Sequence, residues 1–383
     1  MKYKESLWGV FVNEISIEQQ KIMEWFEHFH HNPEVSWKEF KTTEKIAHIL
    51  SELNVSYRLF DGIPGLIAEI GEGNEVIAMR ADIDALWQEV DGVMRANHSC
   101  GHDANITMVL GALVKLKDKK FNKRIRFIFQ PAEESGGGAL ETIKHNVLEN
   151  VTHLFGVHLR PVEELPLGKI TPAIHHGAAV FMKGKINGED AHGARPHQGK
   201  NAIDVLVAIH QFIHSIHIDP FEACSVKLTK MHADGGSINI IPGKAEFSID
   251  IRAQKNEVLA QLIDKVEQGM GTLSALYGID ITCEWYDRTP GAVVHEDAAR
   301  IAELSIIEAL GIEALAPIIH TPGSDDFHYY TVMQPNLKAA MIGIGANLAP
   351  GLHHPNMTFD RSALFDGIEV IATTLKNAAN VIE

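Results

Sequence analysis

Four groups of polar side chains directly follow short apolar runs in this sequence. They are Asp82 and Asp84 in MRADIDAL, residues 98–103 with the sequence HSCGHD, Glu133 and Glu134 after FIFQPA, and His158 in FGVH. Cysteine thiolates, imidazoles and carboxylates together form a ligand set suited to zinc and similar transition metals. Glycines at 136–138 would let the backbone approach a ligand closely. The residue types therefore predict a metal site, provided that the fold brings the four groups together.

Two other interpretations of these residues stay open. A single cysteine or histidine is more often a structural residue than a ligand, and an adjacent pair of glutamates is usually exposed to solvent. Alternatively, Cys100 is a hydrolase nucleophile that is paired with a histidine. Chelation separates these alternatives, because a cysteine enzyme survives EDTA and is inactivated by alkylation, whereas a metal enzyme is inactivated by the chelator.

A mainly parallel sheet covered by helices would bring the four groups together. Apolar runs at 124–129, 154–158 and 338–345 are separated by helical segments such as 106–116, which is typical of an α/β protein. Open α/β sheets bind ligands at the carboxyl ends of their strands, so we expect the groups to converge there.

The segment before this alternation contains further elements. A first amphipathic helix is predicted from a capping box at Ser16 to Asn32-Pro33, and a second helix ends near Leu53. The turn-rich sequence GEGN between residues 66–70 and 76–80 predicts a hairpin that enters the sheet.

The order of elements changes between residues 179 and 292. Strands are predicted there at 179–186, 225–229, 238–240, 244–252 and 279–285, with helices at 202–216 and 258–275. Strands in one sheet with two helices indicate an inserted α+β sandwich, and residues 296–383 then resume the first pattern. We therefore predict a discontinuous first domain of residues 1–178 and 293–383 and an inserted domain of residues 179–292.

Length and composition limit the classes of protein that fit. The 383 residues exceed the roughly 250–300 at which single cores stop growing, which favours two domains. A net charge of −16 without a basic block argues against a nucleic-acid partner. The three cysteines, at 100, 224 and 283, cannot form a disulfide framework and suggest a cytoplasmic protein. The apolar run at 7–12 is too short for a signal peptide or a membrane span, so no membrane partner is expected.

Seven motifs distributed along the chain resemble those of one enzyme family, in the same order. They are HxCGHD at 98–103, QPAEE at 130–134, GVH at 156–158, AHGARPH at 191–197, NIIPGKA at 239–245, SDDF at 324–327 and LHHP at 352–355. The chain is thereby similar to the M20 metallopeptidase superfamily, in the branch of N-acyl-amino-acid amidohydrolases, hippurate hydrolases and auxin-conjugate hydrolases. The resemblance implies a dinuclear-metal catalytic domain that is interrupted by a lid or dimerisation domain.

The resemblance also implies a ligand set, carried over motif by motif. The ligands would be Cys100, His102, Glu134, His158 and His353. Cys100 would bridge two divalent ions per chain, for which Mn²⁺, Zn²⁺, Co²⁺ and Ni²⁺ are all plausible. Asp82, Asp103 and Asp325 would lie behind the ligands, without binding the metal directly, and would support the ligand side chains.

Catalytic and substrate-binding residues are implied in the same way. Glu133 would be the general base. His192, from the inserted domain, would stabilise the oxyanion and in this family often reaches the active site of a partner subunit. Asn239 and Arg252 would hold the substrate carboxylate, with an ordinary structural role in a strand as the alternative.

Three positions depart from the family pattern. His354 stands where the family usually has Ser or Asn, and it competes with His353 as the ligand in LHHP. Trp87 replaces the usual proline and begins a loop to His98 that is shorter than in most relatives, which puts substrate preference in doubt. Asp325 is one methylene shorter than the usual glutamate, and we expect this change to preserve metal binding.

The sequence therefore predicts a metal-dependent amidohydrolase that cleaves N-acyl amino acids or related conjugates with a metal-activated water. The alternatives are a dipeptidase or carboxypeptidase of the same superfamily, which shares the ligand residues, and a catalytically inactive metal-binding relative, which the intact Glu133 argues against. The expected partners are a small N-acyl or peptide-like substrate and a second copy of the chain.

Overall fold

The computed structural model describes residues 17–380. The helices of this part are α1 (Ile17–His31), α2 (Phe40–Glu52), α3 (His102–Leu116), α4 (Gly138–Ile143), α5 (Ala202–His214), α6 (Asn256–Tyr277), α7 (Glu296–Leu310), α8 (His328–Met333) and α9 (Ala363–Asn380). The strands are β1 (Ser56–Leu59), β2 (Leu66–Ile70), β3 (Val76–Asp82), β4 (Leu86–Val90), β5 (Val93–Asn97), β6 (Arg124–Gln130), β7 (Val151–Pro161), β8 (Ile170–Thr171), β9 (Ile174–His176), β10 (Ala178–Asn187), β11 (Ala191–His192), β12 (Cys224–Ala233), β13 (Ile240–Ile241), β14 (Lys244–Ala253), β15 (Asp280–Thr289), β16 (Ile319–Thr321) and β17 (Lys338–Leu348).

The larger sheet has the strand order β1-β2-β6-β3-β7-β17-β8. Its four central strands run parallel, and antiparallel strands flank them. Every residue of β3 is buried, because helices cover both faces of the sheet. The predicted α/β class is confirmed, and the strands predicted at 124–129, 154–158 and 338–345 form β6, β7 and β17.

The two N-terminal helices form where the apolar periodicity predicts them. In α1 the residues Ile22, Phe26 and Phe29 are buried at helical spacing, and the helix ends just before Asn32-Pro33. The second predicted helix is α2, which ends at Glu52. The capping box at Ser16 lies outside the described residues.

The hairpin predicted across GEGN is wrong. Strands β2 and β3 form as expected, but β6 lies between them, antiparallel to β2 and parallel to β3. Because β6 separates the two strands, their connection is not a tight turn between neighbours, and Gly73 within it packs against the segment that leads into β6. A Cβ at Gly73, whose φ is +135°, would lie 2.6 Å from the carbonyl oxygen of Asn122.

The smaller sheet is antiparallel, with the order β12-β14-β10-β15. Alternate residues of β10 and β14 are buried beneath α5 and α6, so this part has one sheet layer and one helix layer. The strand predicted at 238–240 is the exception, because β13 pairs with β11 outside this sheet. The sheet extends from Ala178 to Thr289, and the proposed domain limits at 178 and 293 stay a prediction.

None of the helices within residues 17–380 combines the length and the apolar character that crossing a membrane requires.

Candidate metal centre

The polar groups of the sequence analysis meet at the carboxyl end of the parallel strands. Asp82 ends β3, Glu133 and Glu134 follow β6, and His158 lies near the end of β7. Cys100 and His102 flank Gly101, whose φ of +86° lets the chain turn into α3. A loop after β17 adds His353 to the same place. The predicted convergence is therefore found in the structure.

Cys100 lies at the centre of the five proposed ligands, which we call the ligand cluster (Cys100, His102, Glu134, His158 and His353). Its Sγ is 3.5 Å from Nε2 of His158 and 3.3 Å from Nε2 of His353. Candidate ligand atoms form one compact group in Cys100, His102 and His158, and another in Cys100, Glu134 and His353, each within 4.8 Å. Since Cys100 belongs to both groups, this geometry suits a thiolate that bridges two ions.

Buried atoms without partners indicate that the ligand cluster fits metal ions. Among the described residues, Nε2 of His102 and Oε1 of Glu134 are buried and have no hydrogen-bond partner. They face each other at 3.9 Å, which is too long for a hydrogen bond and leaves room for an ion. Such orphaned atoms normally cost about 1–3 kcal/mol each, and coordination would remove that cost.

The orientation of His102 is set by Asp84, which the sequence analysis did not assign a role. Nδ1 of His102 lies 2.9 Å from the carbonyl oxygen and 3.2 Å from Oδ1 of Asp84, so Nδ1 carries the proton. The lone pair of Nε2 is then free for a metal. The same carboxylate accepts hydrogen bonds from Ser36 Oγ and from the backbone N–H of Glu134. Asp84 thereby connects two of the proposed ligands.

Carboxylates crowd this site and disfavour one another's charged forms. Burial, together with Asp325 and Glu134, raises the pKa of Glu133 well above its usual range. Burial raises the pKa of Glu134 to about 7, although the charge of His102 opposes the shift. It also raises the pKa of the Cys100 thiol. Divalent cations would relieve this excess of negative charge.

Beneath the ligand cluster lies a fully buried arginine, Arg80. It contacts the carboxylates of Asp82, Asp325 and Asp326, and its Nε donates to Gln130 at 2.9 Å. Burying an arginine is tolerated when its charge is paired in this way. Arg80 thus fixes Asp82 and Asp325, which lie with His158 in another compact group of candidate ligand atoms.

Asp103 makes its contacts away from the ligand cluster. Its Oδ2 lies 2.7 Å from Nδ1 of His30 on α1, and its Oδ1 accepts from the backbone N–H of Ala104. Oδ2 therefore attaches α3 to α1, and Oδ1 bonds within the first turn of α3, so neither oxygen orients a proposed ligand.

The structure separates the two histidines of LHHP. His353 has its Nε2 3.5 Å from Oε2 of Glu134, whereas Nδ1 of His354 accepts a hydrogen bond from the backbone N–H of Asn356. His353 adopts a left-handed φ of +65°, an uncommon conformation for a histidine that is held by its backbone bond to Ser99. The geometry favours His353 as the ligand.

The segment after Trp87 forms a hairpin that supports His353. Strands β4 and β5 pair across Asp91-Gly92, and both of these residues have positive φ. Gln88 donates to the carbonyl oxygen of His353 at 3.0 Å, and Asn97 donates to that of Pro355 at 3.0 Å. The Asp-Gly pair between short apolar stretches is a hairpin signal that the sequence analysis missed.

A cavity of about 660 Å³ opens over the ligand cluster, and the inserted segment closes one side of it. Arg252 on β14 lines this cavity, with Nε 3.0 Å from Oδ1 of Asp250. His192 and Asn239 are exposed and do not line it. The described chain therefore does not bring these two predicted residues to its own site.

The chain and its fold are similar to those of known proteins. The family model described as Peptidase family M20/M25/M40 matches residues 78–377. An IAA-amino acid hydrolase of Arabidopsis thaliana (ILR1-like 4) is 30% identical over 325 residues, covering 79% of this chain and 72% of the plant protein. N-acetylcysteine deacetylase of Bacillus subtilis (strain 168) is 30% identical over 361 residues, with coverages of 88% and 90%. A Bacillus subtilis structure described as a dinuclear metal binding peptidase of the M20 family superposes with a TM-score of 0.82 at 25% identity, covering 95% and 99% of the two chains.

Proposed function

Because this chain belongs to peptidase family M20/M25/M40, we propose that it is a dinuclear-metal amidohydrolase that cleaves the amide bond of N-acyl amino acids or related conjugates. The observation that carries the proposal is the position of Cys100 in two groups of candidate ligands, with Glu133 beside them. The similarity to an N-acetylcysteine deacetylase and to an IAA-amino acid hydrolase supports this substrate class.

When bound, two divalent cations would polarise the scissile carbonyl and acidify a water molecule. Cys100, His102, Glu134, His158 and His353 would hold them. Glu133, whose Oε2 lies 3.9 Å from Nε2 of His102, accepts the proton of the attacking water and passes it to the amine nitrogen as the C–N bond breaks. The products are a carboxylic acid and a free amino acid.

The inserted segment would complete the site. Arg252 already lines the cavity and would bind the substrate carboxylate. His192 would donate to the developing oxyanion. Since neither His192 nor Asn239 lines the cavity of its own chain, we propose a homodimer in which the partner supplies both, with Asn239 in support of Arg252.

The proposed location is the cytoplasm. Cys100, Cys224 and Cys283 are all free thiols in the structure, which suits a reducing compartment.

A substrate panel with metal removal tests the function. Protein treated with EDTA and reloaded with Mn²⁺, Zn²⁺, Co²⁺ or Ni²⁺ is assayed on N-acetyl and N-benzoyl amino acids and on dipeptides. We expect activity to disappear with the chelator, to return with metal and to be highest on N-acyl amino acids. A higher kcat/KM on dipeptides would instead identify a dipeptidase, and activity that survives EDTA but not alkylation would identify a cysteine nucleophile.

A further inference from the structure

One wall of the cavity is polar where a pocket for an aromatic or long-chain acyl group would be apolar. We call it the polar wall and define it as Arg160, Glu164, His176 and Thr321, all of which line the cavity. The apolar side chains that line the same cavity are those of Pro161, Phe181 and Leu352. None of the polar-wall residues belongs to the motifs that predicted the metal centre.

The polar wall lies beside the ligand cluster because of strand geometry. His158 and Arg160 are two residues apart on β7, so their side chains leave the same face of the sheet, about 6–7 Å apart along the strand. Arg160 and His176 line the same cavity as His158. A substrate whose amide reaches the ligand cluster can therefore contact the polar wall with the atoms that flank the amide.

Arg160 is held in place by its neighbours. Its Nε and Nη2 donate to Oε2 of Glu164 at 2.9 and 2.6 Å, and Thr321 Oγ1 donates to Oε1 of Glu164 at 3.3 Å. Its stem passes over Gly343 on β17, where an added Cβ would lie 3.2 Å from Cγ of Arg160. The side chain is only 4% exposed. Such a fixed guanidinium loses little conformational entropy when it binds a ligand.

The guanidinium keeps one unused donor group. Among residues 17–380, the hydrogen bonds and the ion pair of the Arg160 side chain involve Nε and Nη2, and none of them involves Nη1. His176 is also oriented, since its Nδ1 lies 3.0 Å from Nε2 of the buried His328. Nη1 is not among the fully buried unpartnered atoms of the described residues, so it stays accessible where Arg160 lines the cavity. An accessible guanidinium donor at this position favours a ligand that supplies an oxygen acceptor.

We propose that the polar wall makes this enzyme prefer substrates that carry a hydrogen-bond acceptor, such as a carboxylate, a primary amide or a hydroxyl group, a few bonds from the scissile amide. Arg160 is then a specificity-determining residue that contacts this group through Nη1. The proposal rests on the proposed amidohydrolase function and narrows its substrate class. The acceptor could belong to the acyl half or to the amino-acid half, and the experiment distinguishes these two sources.

Two pairs of substrates of matched length test the proposal on the metal-loaded protein. N-succinyl-alanine and N-pentanoyl-alanine differ in the acyl half, and N-acetyl-glutamine and N-acetyl-methionine differ in the amino-acid half. We expect kcat/KM to favour the polar member by at least about tenfold in one pair, which corresponds to one hydrogen bond to a charged group. The pair that shows the preference identifies the half of the substrate that meets Arg160.

Arg160→Met should reduce that preference to within about twofold, mainly through KM, with metal content unchanged. Arg126→Met is the matched control, because Arg126 is similarly buried and paired with Glu69 but does not line the cavity. The control should alter the melting temperature and not the preference. If Arg160→Met does not fold, Arg160→Lys removes the planar fork while keeping the charge, and it should also lower the preference.

An apolar preference of the wild-type protein in both pairs, or a polar preference that Arg160→Met leaves intact, would overturn the proposal. Failure of the proposed function has a different signature, because then no substrate of either pair is cleaved. In that case calorimetry with succinate, pentanoate, N-acetyl-glutamine and N-acetyl-methionine still tests the polar wall. Tighter binding of the polar member of at least one pair supports it, and equal or weaker binding of both polar ligands contradicts it.

Discussion

His102 and His158 in the proposed metal centre each depend on a neighbour that fixes the orientation of the ring. Asp84 holds His102 by Nδ1, and the carbonyl oxygen of Leu159 lies 2.7 Å from Nδ1 of His158. Both rings are therefore constrained so that Nε2 faces Cys100 and its surroundings. Outer contacts of this kind normally contribute about 10–100-fold to metal affinity.

Glu133 and Glu134 are adjacent, and we predict opposite consequences for their replacement. Glu133→Gln preserves the size of the side chain and removes the proton acceptor, so turnover should fall at least about 10²-fold while the metal content stays the same. Glu134→Ala should instead lower the metal content. Elemental analysis and steady-state kinetics on both variants check this, and loss of metal in Glu133→Gln as well would contradict the assignment.

For single residues, the sequence predicts which side chains are metal ligands better than it predicts which side chains contact one another. The motifs identify Cys100, His102 and Glu134, and the structure brings them together. The role of Asp84 was not assigned, because the bond from Asp84 to His102 depends on how β3 and α3 meet. His192 and Asn239 lie in two matching motifs, yet their positions relative to the cavity depend on the packing of the inserted segment and are not encoded locally.

Among the elements, the hairpin of β4 and β5 is the support of the loop that carries His353. Asn97 donates both to Gln88 on the opposite strand and to Pro355 in that loop. We predict that Asn97→Ala weakens metal binding by about 10-fold or more, because His353 loses part of the frame that holds its left-handed backbone. Calorimetric titration of the metal-free variant measures this.

Asn187→Ala is the matched control for that variant. Asn187 also makes a side-chain hydrogen bond between neighbouring strands, to Asp280, but it lies in the smaller sheet. Metal affinity should be unchanged in this control. Equal affinities of Asn97→Ala and the wild-type protein would show that the hairpin does not support the site.

Strand β7 carries a second histidine, His153, whose titration makes stability depend on pH. Burial, together with the charges of Lys338 and Lys123, lowers the pKa of His153 to about 4 from its ordinary 6.5. Between these values the unfolded chain binds more protons than the folded one, so the free energy of unfolding falls as the pH falls from 6.5 to 4.

We predict that His153→Asn makes this pH dependence shallower, by up to about 1.4 kcal/mol per pH unit within that window. Urea unfolding of metal-free protein between pH 6.5 and 4.5 measures the effect without a contribution from metal release. Parallel stability profiles for the two proteins would contradict it.

Helices and strands were predictable where a pattern of apolar residues within the element itself indicates them. The apolar runs of β6, β7 and β17 and the periodicity of α1 indicated these elements within a few residues. The hairpin predicted across GEGN was wrong because strand order depends on contacts between distant residues. Here β6, which comes about 50 residues after β2 in the chain, pairs with it.

In the whole molecule, His192 and Asn239 on the inserted segment lie away from the cavity over the ligand cluster, although both are proposed to complete the site. His192 is exposed on β11, and its Nδ1 accepts a hydrogen bond from the backbone N–H of Ala194. A twofold dimer would place it in the cavity of the partner and would create two equivalent composite sites. Closure of the inserted segment over the cavity would then position the oxyanion donor.

We predict that His192→Ala lowers turnover by about 10²–10³-fold without changing the metal content. Mixing inactive Glu133→Gln chains with inactive His192→Ala chains should restore part of the activity after subunit exchange, because one site of each heterodimer keeps both residues. Sedimentation and activity measurements on the mixture check this. Demonstrated exchange without recovery would show that His192 does not act across a dimer.

The number of metal ions per active chain tests most directly whether a dinuclear centre is built around Cys100. Metal-free protein is titrated with Mn²⁺ or Zn²⁺ while bound metal, by elemental analysis, and hydrolysis of an N-acyl amino acid are followed on the same samples. We predict two tightly bound ions per chain, with activity reaching its maximum only as the second ion binds. Full activity with at most one bound ion would contradict the account.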